Sequence, residues 1–137
     1  MRRRWRGQAL AEMALVAPIL VFLAMLGVTL VPLHRAHTAA NAAAYACATF
    51  VTQYPTRPGR AAEVGTRAAE RILQTGTWNA LGKAHFSLAV SPPEGPGEVG
   101  ACTVTYSVAL PFDPFGLGDR THTVQAVGRS ERWKARW

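Results

Sequence analysis

The sequence predicts an α+β fold: a long N-terminal transmembrane and stalk helix, a second shorter helix, and a three-stranded antiparallel sheet. Three observations predict it. Residues 13–33 are an apolar run of twenty-one residues without a charge. Residues 34–54 are alanine-rich, with neither glycine nor proline. From residue 84 onward the apolar period changes from helical to alternating.

The first run is as long as a membrane is thick. At 1.5 Å per residue it covers about 31 Å, the thickness of a hydrocarbon core. A secretory signal peptide has a shorter apolar stretch and a small-x-small cleavage site, and Val28-Thr29-Leu30-Val31-Pro32 is a poor one. The run therefore reads as an uncleaved span. Arg2, Arg3, Arg4 and Arg6 precede it and hold the N-terminus in the cytoplasm, sending the rest outward. Pro18 and Pro32 each remove a backbone hydrogen bond and predict bends within the span and at its outer exit. Gly27 offers a close approach to a neighbouring helix.

The segment 34–54 continues the helix as an amphipathic stalk. Ala36, Ala40, Ala43, Cys47, Phe50, Val51 and Tyr54 recur at steps of three and four and draw one apolar stripe. From 8 to 54 the helix would be about 70 Å long, with Pro55, Pro58 and Gly59 ending it. A second helix is expected over 60–74. There Ala61, Val64, Ala68 and Ile72 form the inner face, Glu63, Arg67, Glu70 and Arg71 the solvated one, and Gly76 the cap.

Three strands follow. Ala84, Phe86, Leu88 and Val90 alternate with His85, Ser87 and Ala89, and Cys102, Val104, Tyr106, Val108 and Leu110 alternate with Thr103, Thr105, Ser107 and Ala109. The third strand is expected over 121–127. Pro/Gly-rich connections at 92–97 and 111–119 make a meander packed on the helical stripe the simplest arrangement. The basic, aromatic tail 128–137 is not assigned to an element. The domain plan is a leader at 1–7, the transmembrane and stalk helix at 8–54, and a small extracytoplasmic α+β domain at 55–137.

Composition narrows the function classes. The net charge of +7 invites a nucleic-acid reading, but four of the charges stand in the first six residues. Without residues 1–7, eleven basic side chains face eight acidic ones, about +3, with no basic stripe, so nucleic-acid binding is not expected. His34 and His37 are one helical turn apart, and His85 and His122 lie on expected strands. With no Cys-x-x-Cys, His-x-x-x-His or carboxylate cluster to converge on a metal, surface or capping roles are assigned to them. No nucleophile elbow, phosphate-cradling loop or paired carboxylates argue for catalysis, and no cofactor is expected. Trp5 suits an interfacial anchor, and Trp78, Trp133 and Trp137 suit packing. Cys47 lies on the stalk stripe and Cys102 on the inward face of the second strand. The alternatives are one disulfide tying sheet to stalk and two buried thiols. The bond would close a loop of some fifty-five residues and contribute on the order of 3–4 kcal/mol.

The chemistry of interest stands at the start of the span. Arg6-Gly7-Gln8-Ala9-Leu10-Ala11-Glu12 places one carboxylate at the mouth of an apolar helix, a costly position with a functional reading by default. The bland alternative is an interfacial carboxylate that reaches headgroup water, favoured by the helix dipole.

Residues 6–20, Arg-Gly-Gln-Ala-Leu-Ala-Glu-Met-Ala-Leu-Val-Ala-Pro-Ile-Leu, resemble the opening of the TadE-like pseudopilins of the bacterial tight-adherence (Tad) pilus and secretion machinery. These carry Arg-Gly, a glutamate five residues on, Ala-Leu, and a Leu/Val-rich run with an early proline, which Pro18 matches. An aromatic residue commonly follows the glutamate in that group, and Met13 stands here. The resemblance implies a pilin-like fold, and cleavage by a prepilin peptidase between Gly7 and Gln8. It also implies use of Glu12 in helix packing, where the new α-amino group of a neighbour's Gln8 would neutralise it. The implied partners are other pilin or pseudopilin subunits, the prepilin peptidase, the Tad inner-membrane platform and membrane lipid. The alternative function is an unprocessed, single-span anchor for an extracytoplasmic binding module.

Overall fold

The computed structural model describes residues 3–54, 56–75, 84–110, 113–118 and 120–130, with side chains from residue 11 onward. It contains two helices, α1 (Arg3–Val51) and α2 (Pro58–Thr75), and three strands, β1 (Ala84–Ser91), β2 (Val99–Val108) and β3 (His122–Arg129). The strands form one antiparallel sheet in the order β1-β2-β3. The expected α+β architecture is present, with the meander and all three strands in the expected places. Pro55, Gly76, Trp78, Trp133 and Trp137 lie outside the described residues, as does the side chain of Trp5.

α1 is a single helix of 49 residues, about 73 Å long, and it is continuous through Pro18 and Pro32. It ends at Val51, three residues short of the expected Tyr54, because the chain tightens there. Gln53 N–H donates to the Phe50 carbonyl at 3.1 Å and Tyr54 N–H to the Val51 carbonyl at 3.5 Å, the short-range bonds of a closing turn. Pro58 and Gly59 do not terminate α1. They form the first turn of α2, where the fixed φ of proline suits a helix start and its missing N–H costs nothing.

The core lies between the second half of α1, the inner face of the sheet, and α2. Ala36, Ala40, Ala43, Ala44, Cys47, Ala48 and Val51 are buried, and so are Cys102, Val104, Tyr106 and Val108 on β2 and Ala126 on β3. The β2 stripe matches the alternation in its sequence, except that Leu110 falls beyond the strand. Two faces depart from expectation. Phe50 is 39% exposed, and its expected place on the inner stripe is taken by Ala44 and Ala48. On α2 the buried residues are Ala61, Gly65 and Ala69, while Val64, Ala68 and Ile72 are turned aside and half-buried.

Both departures have one cause. The elements approach so closely that only small side chains fit between them. A Cβ on Gly65 would stand 2.5 Å from Val51 Cγ2 and 3.2 Å from Cys47 Sγ. One on Gly128 of β3 would stand 2.8 Å from Thr52 Cγ2. Close contact of backbones replaces bulk as the source of packing energy.

Candidate functional site

Gly7, Gln8 and Glu12 all lie on the N-terminal part of α1, and the helix already runs from Arg3, so it includes the segment 3–7 that the sequence sets aside as a leader. Four residues separate Gln8 from Glu12, one turn and about 6 Å along the axis, which puts both on one face. Glu12 is exposed, at the head of a run of exposed apolar side chains that extends to Val31. Met13 is 74% exposed, Leu15 71% and Leu20 60%.

That exposure is compatible with a single-pass membrane anchor. α1 is long and apolar enough to cross a membrane, and only 6% of its most apolar eighteen-residue window is buried within the chain. A soluble core helix of the same composition would be mostly covered by its own fold. Thr29 is buried, and its hydroxyl donates to the Met25 carbonyl at 3.0 Å within the helix.

No family model matches the chain, and neither a curated protein nor a solved structure does.

Beyond the apolar run, a disulfide joins Cys47 of α1 to Cys102 of β2, with their Cα atoms 6.0 Å apart. It lies at the centre of the core, where Cys102 pairs with Val90 of β1 on one side and Ala126 of β3 on the other. The sheet is thus held to the stalk covalently as well as by packing. Two connections are braced by single polar side chains. Ser130 accepts from Gly97 N–H at 2.8 Å with its hydroxyl directed at the Gly95 and Glu98 carbonyls, closing the loop between β1 and β2. Asp113 accepts from Leu117 N–H at 2.8 Å and Gly118 N–H at 2.6 Å, closing the turn before β3. Burial alone would push the Asp113 carboxyl up, but the backbone N–H groups of Gly118, Leu117, Phe115 and Gly116 outweigh it and hold the carboxyl below its ordinary value.

The sequence assigns the histidines surface or capping roles, and His34, His37 and His85 are exposed; what it does not signal is that Tyr106 brings His37 and His122 together. Tyr106 is 3% exposed. Its Oη lies 2.9 Å from His37 Nδ1, and its ring stacks on His122 with centroids 5.3 Å apart. His122 Nε2 in turn lies 3.2 Å from the Leu117 carbonyl. Burial raises the Tyr106 phenol above its ordinary value, so it is protonated at neutral pH. With His34, Leu30 and Leu33 these three side chains line a shallow pocket at the point where α1 leaves its apolar run. The signal lay in register: Tyr106 faces His122 across the β2–β3 ladder, and the i, i+3 spacing of His34 and His37 puts both on one side of α1. Among the described residues no group of three or more His, Cys, Asp or Glu side chains could hold a metal ion.

Proposed function

We propose that this chain is a structural assembly subunit, a minor pilin or pseudopilin of a Tad-type pilus or secretion apparatus. It is held in the cytoplasmic membrane by one pass, with its N-terminus cytoplasmic and the sheet domain outside. The observation that carries the proposal is the spacing of Gly7 and Glu12 at the head of a helix whose side chains from Met13 to Met25 are exposed on all sides among the described residues. A helix of that kind needs apolar partners from outside its own chain, lipid or neighbouring helices. Glu12 is the one charge it carries into that environment, and a neighbour's Gln8 α-amino group is the partner that cleavage would create. In a low-dielectric bundle such a pair fixes the register of one helix on the next, and removing either member strands the other at several kcal/mol. Glycine costs about 1 kcal/mol in a helix interior, so Gly7 lowers the resistance of α1 to unwinding where a peptidase would engage it.

Continuation of the helix back to Arg3 favours a second reading, in which the chain is never processed and serves as a plain anchor for a binding module. Intact mass measurement of the protein recovered from its native membrane separates the two. A mature chain beginning at Gln8 supports the assembly subunit, and retention of Arg2 to Arg6 supports the anchor. Replacement Glu12→Ala tests the pairing: normal incorporation of that variant into surface structures would refute it.

A further inference from the structure

We propose that the turn between β2 and β3 makes a second membrane contact, entering the boundary between lipid headgroups and acyl chains through Phe115. Two links fix how β2 descends along α1. Cys102 is bonded to Cys47, and four residues further along the strand Tyr106 Oη lies 2.9 Å from His37 Nδ1. Four strand residues advance about 13 Å and ten helix residues about 15 Å, so β2 runs antiparallel to α1, toward the apolar run. Val108, two residues beyond Tyr106, stands about 7 Å lower, level with Pro32 and Leu33. The helix bears the mark of that approach. Thr29 and Pro32 are buried although they lie in the apolar run, and Leu30 and Leu33 share a pocket with Tyr106 and His122. The lower end of the sheet therefore stands beside the last turn of the run. When residues 13–33 span the hydrocarbon, this is the depth at which acyl chain gives way to headgroup. The inference rests on that membrane reading of α1.

Residues 113–118 form the turn at this end of the sheet. Val108 N–H donates to the Gly118 carbonyl at 3.3 Å, and His122 Nε2 lies 3.2 Å from the Leu117 carbonyl, so the turn is tied to both strands. The Asp113 carboxylate accepts from the N–H groups of Leu117 and Gly118, and Gly116 N–H donates to the Asp113 carbonyl at 3.4 Å. Backbone donors satisfied within the turn do not have to be stripped of water unpaired when it enters the interface. Phe115, at the tip, is 59% exposed between exposed Pro114 and Gly116. One exposed phenylalanine is ordinary on a soluble surface. On a braced turn at this level it is an apolar side chain held where lipid begins, continuous with the exposed apolar surface of α1. A single span leaves a domain free to swing about the helix axis, and a second contact fixes which side of the sheet faces the bilayer.

The test uses the full chain in phosphatidylcholine nanodiscs, with the rate of alkylation by a membrane-impermeant maleimide as readout. Cys47 and Cys102 are joined, so a single introduced cysteine is the one free thiol in the chain. Phe115→Cys reports the turn, Glu94→Cys the loop at the opposite end of the sheet, and Leu20→Cys the middle of the apolar run. All three positions are exposed in the chain, so substitution leaves the core intact and protection comes from lipid. A thiol at the acyl boundary loses thiolate as its pKa rises. Phe115→Cys is therefore expected to react about tenfold more slowly than Glu94→Cys, the effect of one pKa unit, with Leu20→Cys slower still. Equal rates for Phe115→Cys and Glu94→Cys, with Leu20→Cys protected, would overturn the second contact and leave the span standing. An unprotected Leu20→Cys would overturn the membrane reading and the contact with it.

Discussion

Reduction of the bond between Cys47 and Cys102 should cost the sheet domain a large part of its stability. The two residues are 55 apart in sequence. In the loop-entropy model, releasing a loop of that length returns about 4 kcal/mol of freedom to the unfolded chain, against a typical total stability of about 5–15 kcal/mol for a domain. For a domain of this size each kcal/mol moves the melting point by about 4–8 °C, so the reduced protein should melt roughly 15–30 °C below the oxidised one. The double variant Cys47→Ala/Cys102→Ala should fall lower still. It loses the crosslink and also two sulfur atoms from positions with no solvent exposure, at about 1 kcal/mol each. Thermal unfolding in detergent, followed by near-ultraviolet circular dichroism, measures all three forms. The reduced wild type isolates the crosslink, and its difference from the double variant isolates the cavity. A reduced wild type that melts within about 5 °C of the oxidised protein would refute the reasoning, because the core would then hold the sheet on α1 without covalent help.

Three further perturbations probe the packing and the polar braces. Gly65→Leu should destabilise by about 2 kcal/mol, since its Cβ meets Val51 and Cys47 and the overpacking outweighs the gain in helix propensity. Gly59→Ala, in the open first turn of the same helix, should stabilise by up to about 1 kcal/mol in the same denaturation assay. Because the Asp113 carboxyl is held below its unfolded value, its contribution is present above the unfolded pKa and is lost as pH falls through the folded one. Asp113→Asn should therefore flatten the acid limb of a stability–pH profile and leave the neutral region less stable than wild type. Tyr106 has the opposite sign: its raised phenol stabilises fully below the unfolded pKa, and that stability is lost as pH rises through the folded one. Tyr106→Phe should remove this alkaline loss while costing about 1 kcal/mol at neutral pH through the broken bond to His37, readable in the same profile.

What could be read from the sequence divides by the physics that fixes each feature. Strands with one buried face must alternate, so β1 and β2 were legible residue by residue, down to Cys102, Val104, Tyr106 and Val108 pointing inward. The helices were legible as helices, and so was most of the α1 stripe, where Ala36, Ala40, Ala43, Cys47 and Val51 are buried as expected, but Phe50 and most of the expected α2 face are not. Apolar periodicity assigns the inner face to the largest apolar side chains, which selects Val64 and Ile72 on α2 and Phe50 on α1. Of the expected α2 face the structure buries Ala61, and beside it Gly65 and Ala69 in place of the larger residues, because an alanine-lined helix draws its neighbours close and leaves room for nothing larger. Glycine is silent in a hydrophobic pattern, so Gly65 carried no signal. The grouping of His37, Tyr106 and His122 was hidden for another reason. It depends on which strands pair and in what register, and no local pattern encodes a bond spanning 69 residues. The Gly7-to-Glu12 spacing is the reverse case, complete in the sequence before any coordinate.

One helix thus carries two side-chain sizes with two purposes. Its first half bears Met, Leu, Ile, Val and Phe side chains that are largely exposed among the described residues. Its second half bears alanines at zero or near-zero exposure under the sheet. Burying a large aliphatic side chain is worth about 1.5–3 kcal/mol, far more than burying an alanine. A chain folding alone in water would gain most by covering the first half, and it covers the second. The large side chains are thereby reserved for a surrounding that the chain does not supply. The alanines set the sheet close enough for Cys47 to meet Cys102. A rod built this way presents an apolar surface at one end and a covalently clamped domain at the other, so in the proposed assembly a displacement imposed on α1 would be carried to the sheet through the Cys47–Cys102 bond. Glu12 stands at the far end from that clamp, where the proposed pairing would act without touching the domain.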